Sequence, residues 1–258
     1  MSAVDVSVSD RVATITLNRP EAGNALNLEV ATALAEAAEG LRGSDIGAVI
    51  LTGAGKSFCV GGDLNWMREM GNEVRDAVLR LATKFHAGIE ALAALDAPVI
   101  SAVRGAAAGG GMSLAIAADI VLASETARFT MAYTAIGFSP DGGSTWTLPR
   151  LVGPRKAAEL MLLNERLEPE AARSLGLANR VVADDVLDAE AQTLARKLAA
   201  GPPAAHGSVK RLLRDTWTRS LHEQLAEEAR TIADLAGGRP GREGVAAFLE
   251  KRAPDWNS

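Results

Sequence analysis

Phe58-Cys59-Val60-Gly61-Gly62-Asp63 and Ala108-Gly109-Gly110-Gly111-Met112 decide how this chain is read. The first stretch follows the apolar run Ala48-Val49-Ile50-Leu51, the second the run Pro98-Val99-Ile100-Ser101-Ala102-Val103, and each opens a segment with helical spacing. Apolar runs that alternate with helices are the pattern of parallel strands in an α/β protein. The same turns can carry chemistry. Glycine lets a ligand come close to the backbone, and the first N–H groups of a helix have no intrahelical partner. A helix N-terminus also favours negative charge. Two such donors aimed at one carbonyl oxygen make an oxyanion hole, each worth about 10²–10³ in rate. Either turn alone reads more readily as an ordinary tight turn, and the pair carries the functional reading.

Strands and helices alternate around these turns. Residues 12–17 alternate apolar and polar side chains, as a half-buried strand does, after an earlier strand around 4–8. Residues 28–41 are alanine-rich with helical spacing, with Asn27 as N-cap and Gly43 as the stop. Strands over 48–51, 99–103 and 120–123 are interleaved with helices over 72–95 and 110–117. After Val182 the character changes. Residues 189–200, 206–217, 221–235 and 242–252 read as helices, punctuated by Gly201-Pro202-Pro203 and Gly237-Gly238-Arg239-Pro240-Gly241. A boundary near Gly201 divides the chain into a core, 1–200, and a helical region, 201–258. Val209, Leu212, Leu213, Leu225 and Ile232 fit a buried face of that region, within or between subunits. Spacing alone does not separate a doubly wound sheet from a coiled superhelix of strand-strand-helix turns.

At 258 residues, with 48% hydrophobic and 23% charged side chains, the chain can bury a substantial core and is not of disordered composition. A net charge of −5 argues against nucleic acid or an anionic membrane as the main partner. No apolar run reaches the roughly 18 residues of a membrane span, and no basic-led apolar leader is present, so no membrane contact and a cytoplasmic location are expected. The single Cys59 forms no intrachain disulfide and suits a reducing compartment; it reads as a small buried residue rather than a nucleophile. With one cysteine and the scattered His86, His206 and His222, no metal site is expected. Neither glycine turn ends in the Gly-Lys-Ser/Thr of a phosphate loop.

Further segments accompany the glycine turns: Asn18-Arg19-Pro20, Asn24-Ala25-Leu26-Asn27, Ile50-Leu51-Thr52-Gly53, Pro98-Val99-Ile100, Ala118-Asp119-Ile120 and Leu148-Pro149-Arg150-Leu151-Val152-Gly153. In this order they resemble the crotonase (enoyl-CoA hydratase/isomerase) superfamily, from about residue 12 to about residue 182. The resemblance implies an α/β fold, a crotonase-like superhelix with a helical C-terminal trimerisation region, assembled as a homotrimer or a dimer of trimers. It implies an acyl-CoA thioester substrate and no cofactor beyond the coenzyme A that the substrate carries. Gly62 and Gly110 match the family's two oxyanion donors, with Gly109 beside the second. Contacts to the nucleotide side of CoA are implied for Ala22, Asn24 and Leu26, and along the pantetheine for Gly61, Asp63 and Leu64. Residues 65–70 resemble the segment that shapes the acyl pocket, so Trp66 and Met67 are expected to set acyl size.

Hydratases of this family use two glutamates, and the matching positions here hold Ser113 and Tyr133. Water addition by the paired-glutamate route is therefore in doubt. A carboxylate does occur in Gly137-Phe138-Ser139-Pro140-Asp141-Gly142-Gly143-Ser144-Thr145, where Pro140 and the glycines make a tight turn with Asp141 at its rim. This string resembles the branch that includes Δ3,Δ2-enoyl-CoA isomerases and the ring-opening isomerases of phenylacetyl-CoA breakdown, which place a single catalytic acid in such a turn. A 1,3-proton shift needs one carboxylate, which takes a proton from one carbon and returns it to another. The plainer reading of Asp141 is a helix N-cap. Trp66, Met67, Phe138 and Trp146 are expected to form an apolar wall beside it. Asp63 reads mainly as a turn-holding residue, Ser113 as orienting substrate or packing the helix, and Tyr133 as a donor to substrate or to a local partner. Three functions follow: an enoyl-CoA isomerase first, a hydratase or lyase that uses Asp141 with water held by Ser113 or Tyr133 second, and an acyl-CoA-binding homologue without turnover third. Nothing in the sequence selects the acyl group.

Overall fold

The computed structural model describes residues 2–256. Strands β1 (Val4–Ser9) and β2 (Val12–Leu17) are followed by helix α1 (Leu28–Gly40), β3 (Ala48–Gly53), α2 (Leu64–Glu69) and α3 (Val74–Ala94). Next come β4 (Val99–Val103), β5 (Ala106–Ala108), α4 (Gly110–Ile116), β6 (Ile120–Ser124), β7 (Arg128–Thr130), α5 (Ser144–Val152), α6 (Pro154–Leu163), α7 (Pro169–Ser174) and β8 (Arg180–Val182). Helices α8 (Leu187–Ala199), α9 (Pro203–Asp215), α10 (Leu221–Gly237) and α11 (Arg239–Glu250) complete the chain.

The main sheet runs β1-β2-β3-β4-β6-β8, antiparallel only between β1 and β2. After each of its inner strands the chain crosses to a second, short ladder. There Leu26 bridges Gly62, Cys59 bridges Ala107, β5 pairs with β7 in parallel, and Phe129 bridges Leu167. One long strand, one short extended segment and the helices between them make each turn of a coil. The superhelix expected from the resemblance is therefore the fold, and the doubly wound sheet is not.

Period-two alternation places the core. Val49 and Leu51 of β3 join Val30 and Leu34 of α1 and Leu81, Phe85 and Leu92 of α3 on one face. Ala48, Ile50, Ile100, Ala102 and Leu122 meet Leu187, Ala191, Ala195 and Ala199 of α8 on the other. Covering both faces is why β3 and β4 read as continuous apolar runs.

Several boundaries differ from expectation for identifiable reasons. Helix α1 closes at Leu41, whose N–H reaches Ala38 and Glu39 carbonyls, so Gly43 lies in the following turn rather than at the stop. Asn27 is the N-cap, accepting from Val30 N–H. The three-residue strands β5 and β7 are too short to leave a periodic signal. Helices α9 and α11 begin before the expected residues 206 and 242, because Pro203 and Pro240 sit in their first turns, where proline costs no hydrogen bond.

The regions 1–200 and 201–258 extend at their outer ends past the described residues. The tail is fastened to the core by Lys210, whose Nζ lies 2.8 Å from Asp119 and donates to the Ala97 carbonyl at 2.9 Å. Asp119 also accepts Val99 N–H at 2.7 Å, so this carboxylate ties α9 to the start of β4. Within one chain Val209, Leu213, Leu225 and Ile232 are exposed. Among the described residues no helix is long and apolar enough to cross a membrane.

Candidate active site

The two glycine turns pack against each other. A Cβ on Gly61, at φ +97°, would stand 2.8 Å from the Ala108 carbonyl oxygen and 3.6 Å from Gly109 Cα. Gly109 itself adopts φ 49°, ψ −123°, a region essentially closed to other residues. Gly111 has the Cys59 carbonyl where a Cβ would go. Only glycine lets these backbones meet. Leu26 underlies both turns: its N–H donates to the Gly61 carbonyl at 2.7 Å, its carbonyl accepts Asp63 N–H at 2.8 Å, and a Cβ on Gly110 would come 2.7 Å from its Cδ1. Neither Gly62 N–H nor Gly110 N–H finds an acceptor among the described residues. Gly110 is the first residue of α4, so its N–H is one of the helix's orphan donors.

Both glycines line a cleft of about 750 Å³ with Leu64 and Met67 of α2, Val78 and Phe85 of α3, Tyr133, Phe138 and Asp141. Among the described lining residues Asp141 is the one carboxylate and Arg75, at the start of α3, the one cation.

Asp141 is held from both ends. Its carbonyl accepts Ser113 Oγ at 3.0 Å, Ser144 Oγ at 2.9 Å and Ser144 N–H at 3.2 Å. Its side chain does not cap α5, whose N-cap is Gly143. Instead Oδ1 accepts the Tyr133 hydroxyl at 2.6 Å. Ser113 Oγ lies 3.1 Å from that hydroxyl, so serine, tyrosine and aspartate form one chain of polar contacts. Burial first, then the Asp141 charge and the bond to it, push the Tyr133 pKa far above its ordinary value, so the tyrosine stays a neutral donor. Gly142, at φ +61°, seats this turn directly on Phe85 and Ser113, where a Cβ would fall within 2.7 Å and 2.8 Å of their carbons.

The expected residues thus divide. Gly61, Gly62, Gly109, Gly110, Leu26, Leu64, Tyr133 and Asp141 share the cleft. Ser113 is buried beneath it rather than lining it. Asn24 is buried with its side chain turned inward, accepting Arg19 N–H and donating to the Ala54 and Ser57 carbonyls, and neither it nor Ala22 lines the cleft. Asp63 caps α2 through Trp66 N–H at 3.1 Å and pairs with Arg19 at 3.0 Å, as a turn-holding residue does. Of the expected wall, Met67 and Phe138 face the cleft. Trp66, about 100° around the helix from Met67, packs on the core instead. Trp146 is on the outside, with Arg150 stacked 4.0 Å over its ring. Cys59 is fully buried, and burial pushes its thiol up to about 12.

His86 of α3 was no candidate from sequence. Its Nε2 accepts Gly142 N–H at 3.1 Å and stands 3.6 Å from Asp141 Oδ2. No local spacing links positions 86 and 141. The one available signal is that His86 follows Phe85 on the helical stretch 72–95.

The superhelix thus brings two backbone N–H groups without acceptors among the described residues and one clamped carboxylate to a single cleft, and comparison with known proteins gives the family. The sequence model described as enoyl-CoA hydratase/isomerase matches residues 7–258, and the chain belongs to that family. It is 41% identical over 252 residues to the 1,2-epoxyphenylacetyl-CoA isomerase of Escherichia coli K12, covering 96% of each chain. It is also 41% identical over 249 residues to a Rhodobacter capsulatus protein named "probable enoyl-CoA hydratase", covering 96% of this chain and 95% of that one. The crystal structure of an enoyl-CoA hydratase from Polaromonas sp. JS666 superposes with a TM-score of 0.94 at 36% identity, covering 98% of both chains.

Proposed function

We propose that this chain is an enoyl-CoA isomerase that shifts a double bond through a thioester enolate, with Asp141 as the proton shuttle. The observation that carries this reading is that Asp141 is the sole carboxylate lining the cleft among the described residues, beside two unclaimed backbone donors. The thioester oxygen accepts from Gly62 and Gly110 N–H, which stabilise the negative charge that develops as a proton leaves C2. Asp141 takes that proton. The electron pair delocalises over the dienolate, and the proton returns at C4, giving the 2-enoyl isomer with no change in mass. Tyr133 occupies Oδ1, leaving Oδ2 as the oxygen that carries the proton. The apolar side chains of Leu64, Met67, Val78, Phe85 and Phe138 hold the acyl chain and keep water from the enolate. Coenzyme A enters as part of the substrate.

Mass-resolved product analysis with a 3-enoyl-CoA and a 2-enoyl-CoA tests this. Mass-neutral conversion of the 3-enoyl substrate, lost in Asp141→Asn, is the expected result. Addition of water to the 2-enoyl substrate at a comparable rate would replace the reading with a hydratase. Tight thioester binding with no turnover of either would leave an acyl-CoA-binding homologue.

Residues 201–258 are proposed as the region through which the chain forms a homotrimer or a dimer of trimers. The exposed Val209, Leu213, Leu225 and Ile232 support this, because an apolar face of this kind marks an association surface. Light scattering on the purified protein reads the mass directly, and a monomer at micromolar concentration would rule it out.

A further inference from the structure

His86 has no part in the reaction as described so far. Because its Nε2 accepts Gly142 N–H, that nitrogen bears no proton, and the neutral ring carries its hydrogen on Nδ1. The same nitrogen is 3.6 Å from Asp141 Oδ2, the oxygen that Tyr133 leaves unclaimed. Among the described residues no other basic side chain comes within ion-pairing distance of Asp141. The His86 side chain is 45% exposed against 32% for that of Asp141, so the ring beside the base is the more open of the two to bulk water. Imidazole is the side chain best suited to take up and release a proton near neutral pH.

Resting on the isomerase reading, we infer that His86 is a proton relay between Asp141 and solvent, through which the abstracted substrate proton exchanges before it is returned. With the substrate proton on Oδ2, the O–H bond breaks as an Nε2–H bond forms, and Nε2 gives up its contact with Gly142 N–H. Nε2 then gives that proton to water and takes another from water, while Nδ1 keeps its hydrogen. A solvent-derived proton then passes from Nε2 to Oδ2 and on to C4. One proton leaves, one enters, and no electrons are transferred. His86 does not touch the reacting carbons, so its role is to set the origin of the proton, not to remove it.

The experiment is turnover of a 3-enoyl-CoA in D2O, with the deuterated fraction of the product read by mass. Wild-type product is expected to carry solvent deuterium. In His86→Gln, whose side-chain oxygen can accept Gly142 N–H but cannot relay a proton, exchange is expected to slow about 10²-fold, the low end of acid–base effects, and the deuterated fraction to fall with it. This fraction is a ratio among product molecules, so it is independent of how much of the variant folds. In His86→Ala, added imidazole is expected to restore it. Equal fractions in wild type and His86→Gln, or unlabelled wild-type product, would overturn the relay. Loss of the isomerase reading shows differently, as absence of mass-neutral product. In that case α-proton exchange of an arylacetyl-CoA, which needs an enolate but no double-bond shift, reads the relay separately, and exchange insensitive to His86→Gln would overturn it.

Discussion

Tyr133 donates its phenolic proton to Asp141 Oδ1 across 2.6 Å, while Ser113 and Ser144 hold the Asp141 carbonyl. The carboxylate is thus fixed by one oxygen and by its own backbone, and Oδ2 is the oxygen that the proposed proton shuttle uses. Removing the donor in Tyr133→Phe costs a hydrogen bond to a charged group, about 1.5–3 kcal/mol. Part of that loss falls on orientation of the base, so kcat is expected to drop about tenfold with a smaller change in KM. Steady-state kinetics decide this. A change confined to KM would mean that Tyr133 serves binding and not the base.

Tyr133 is the chain's only tyrosine, so its ionisation can be followed by ultraviolet absorbance. Its folded-state pKa is raised, chiefly by burial and then by Asp141, and that of Cys59 is raised by burial from 9.0 to about 12. A raised folded pKa means that the folded state holds its proton where the unfolded state has lost it. The stabilisation from each group is therefore complete below its unfolded pKa and is lost as pH rises toward its folded value. Stability is expected to decline from about pH 9, through Cys59, and more steeply above about pH 10 as Tyr133 joins. Thermal melts across this range test it, and Cys59→Ala should remove the earlier part of the decline. Tyrosinate absorbance near pH 10 in the still-folded protein would contradict the burial of Tyr133.

Gly110→Ala places a methyl group 2.7 Å from Leu26 Cδ1 and 3.7 Å from the Tyr133 hydroxyl. The end of the leucine side chain can yield, so the fold is expected to survive. In the proposed reaction that methyl group displaces the thioester oxygen from this donor, and loss of one such donor costs about 10²–10³ in rate. A kcat reduced to this extent with an unchanged melting temperature is the expected outcome. Wild-type kcat in this variant would place the carbonyl elsewhere.

Asn24→Ala removes the Oδ1 acceptor of Arg19 N–H and the Nδ2 donor of the Ala54 and Ser57 carbonyls at a buried position, and asks alanine to adopt φ 59°. Unsatisfied buried groups cost about 1–3 kcal/mol each, and left-handed backbone adds roughly 1 kcal/mol. The variant is expected to lose several kcal/mol of stability in denaturant melts. A change in CoA-ester affinity without loss of stability would instead favour the substrate contact that the sequence resemblance implied.

Much of this protein was settled by sequence alone, because the deciding signals are local. Apolar runs over 48–51 and 99–103, bounded by turn residues, fit strands covered on both faces, and Asn27 marks its helix start by capping chemistry that acts within one turn. The glycines at 61–62 and 109–111 announce close backbone approach without saying to what. Tertiary structure decided the rest, because it depends on which distant segments meet. The coil, not the sequence interval, brings residues 59–62 against residues 106–111 through the bridge from Cys59 to Ala107. Helical phase turns Met67 to the cleft and Trp66 to the core, and a buried hydrogen-bond set turns Asn24 inward. His86 comes beside Asp141 only because α3 packs under the Gly142 turn, a contact between residues far apart in the chain that no local pattern encodes.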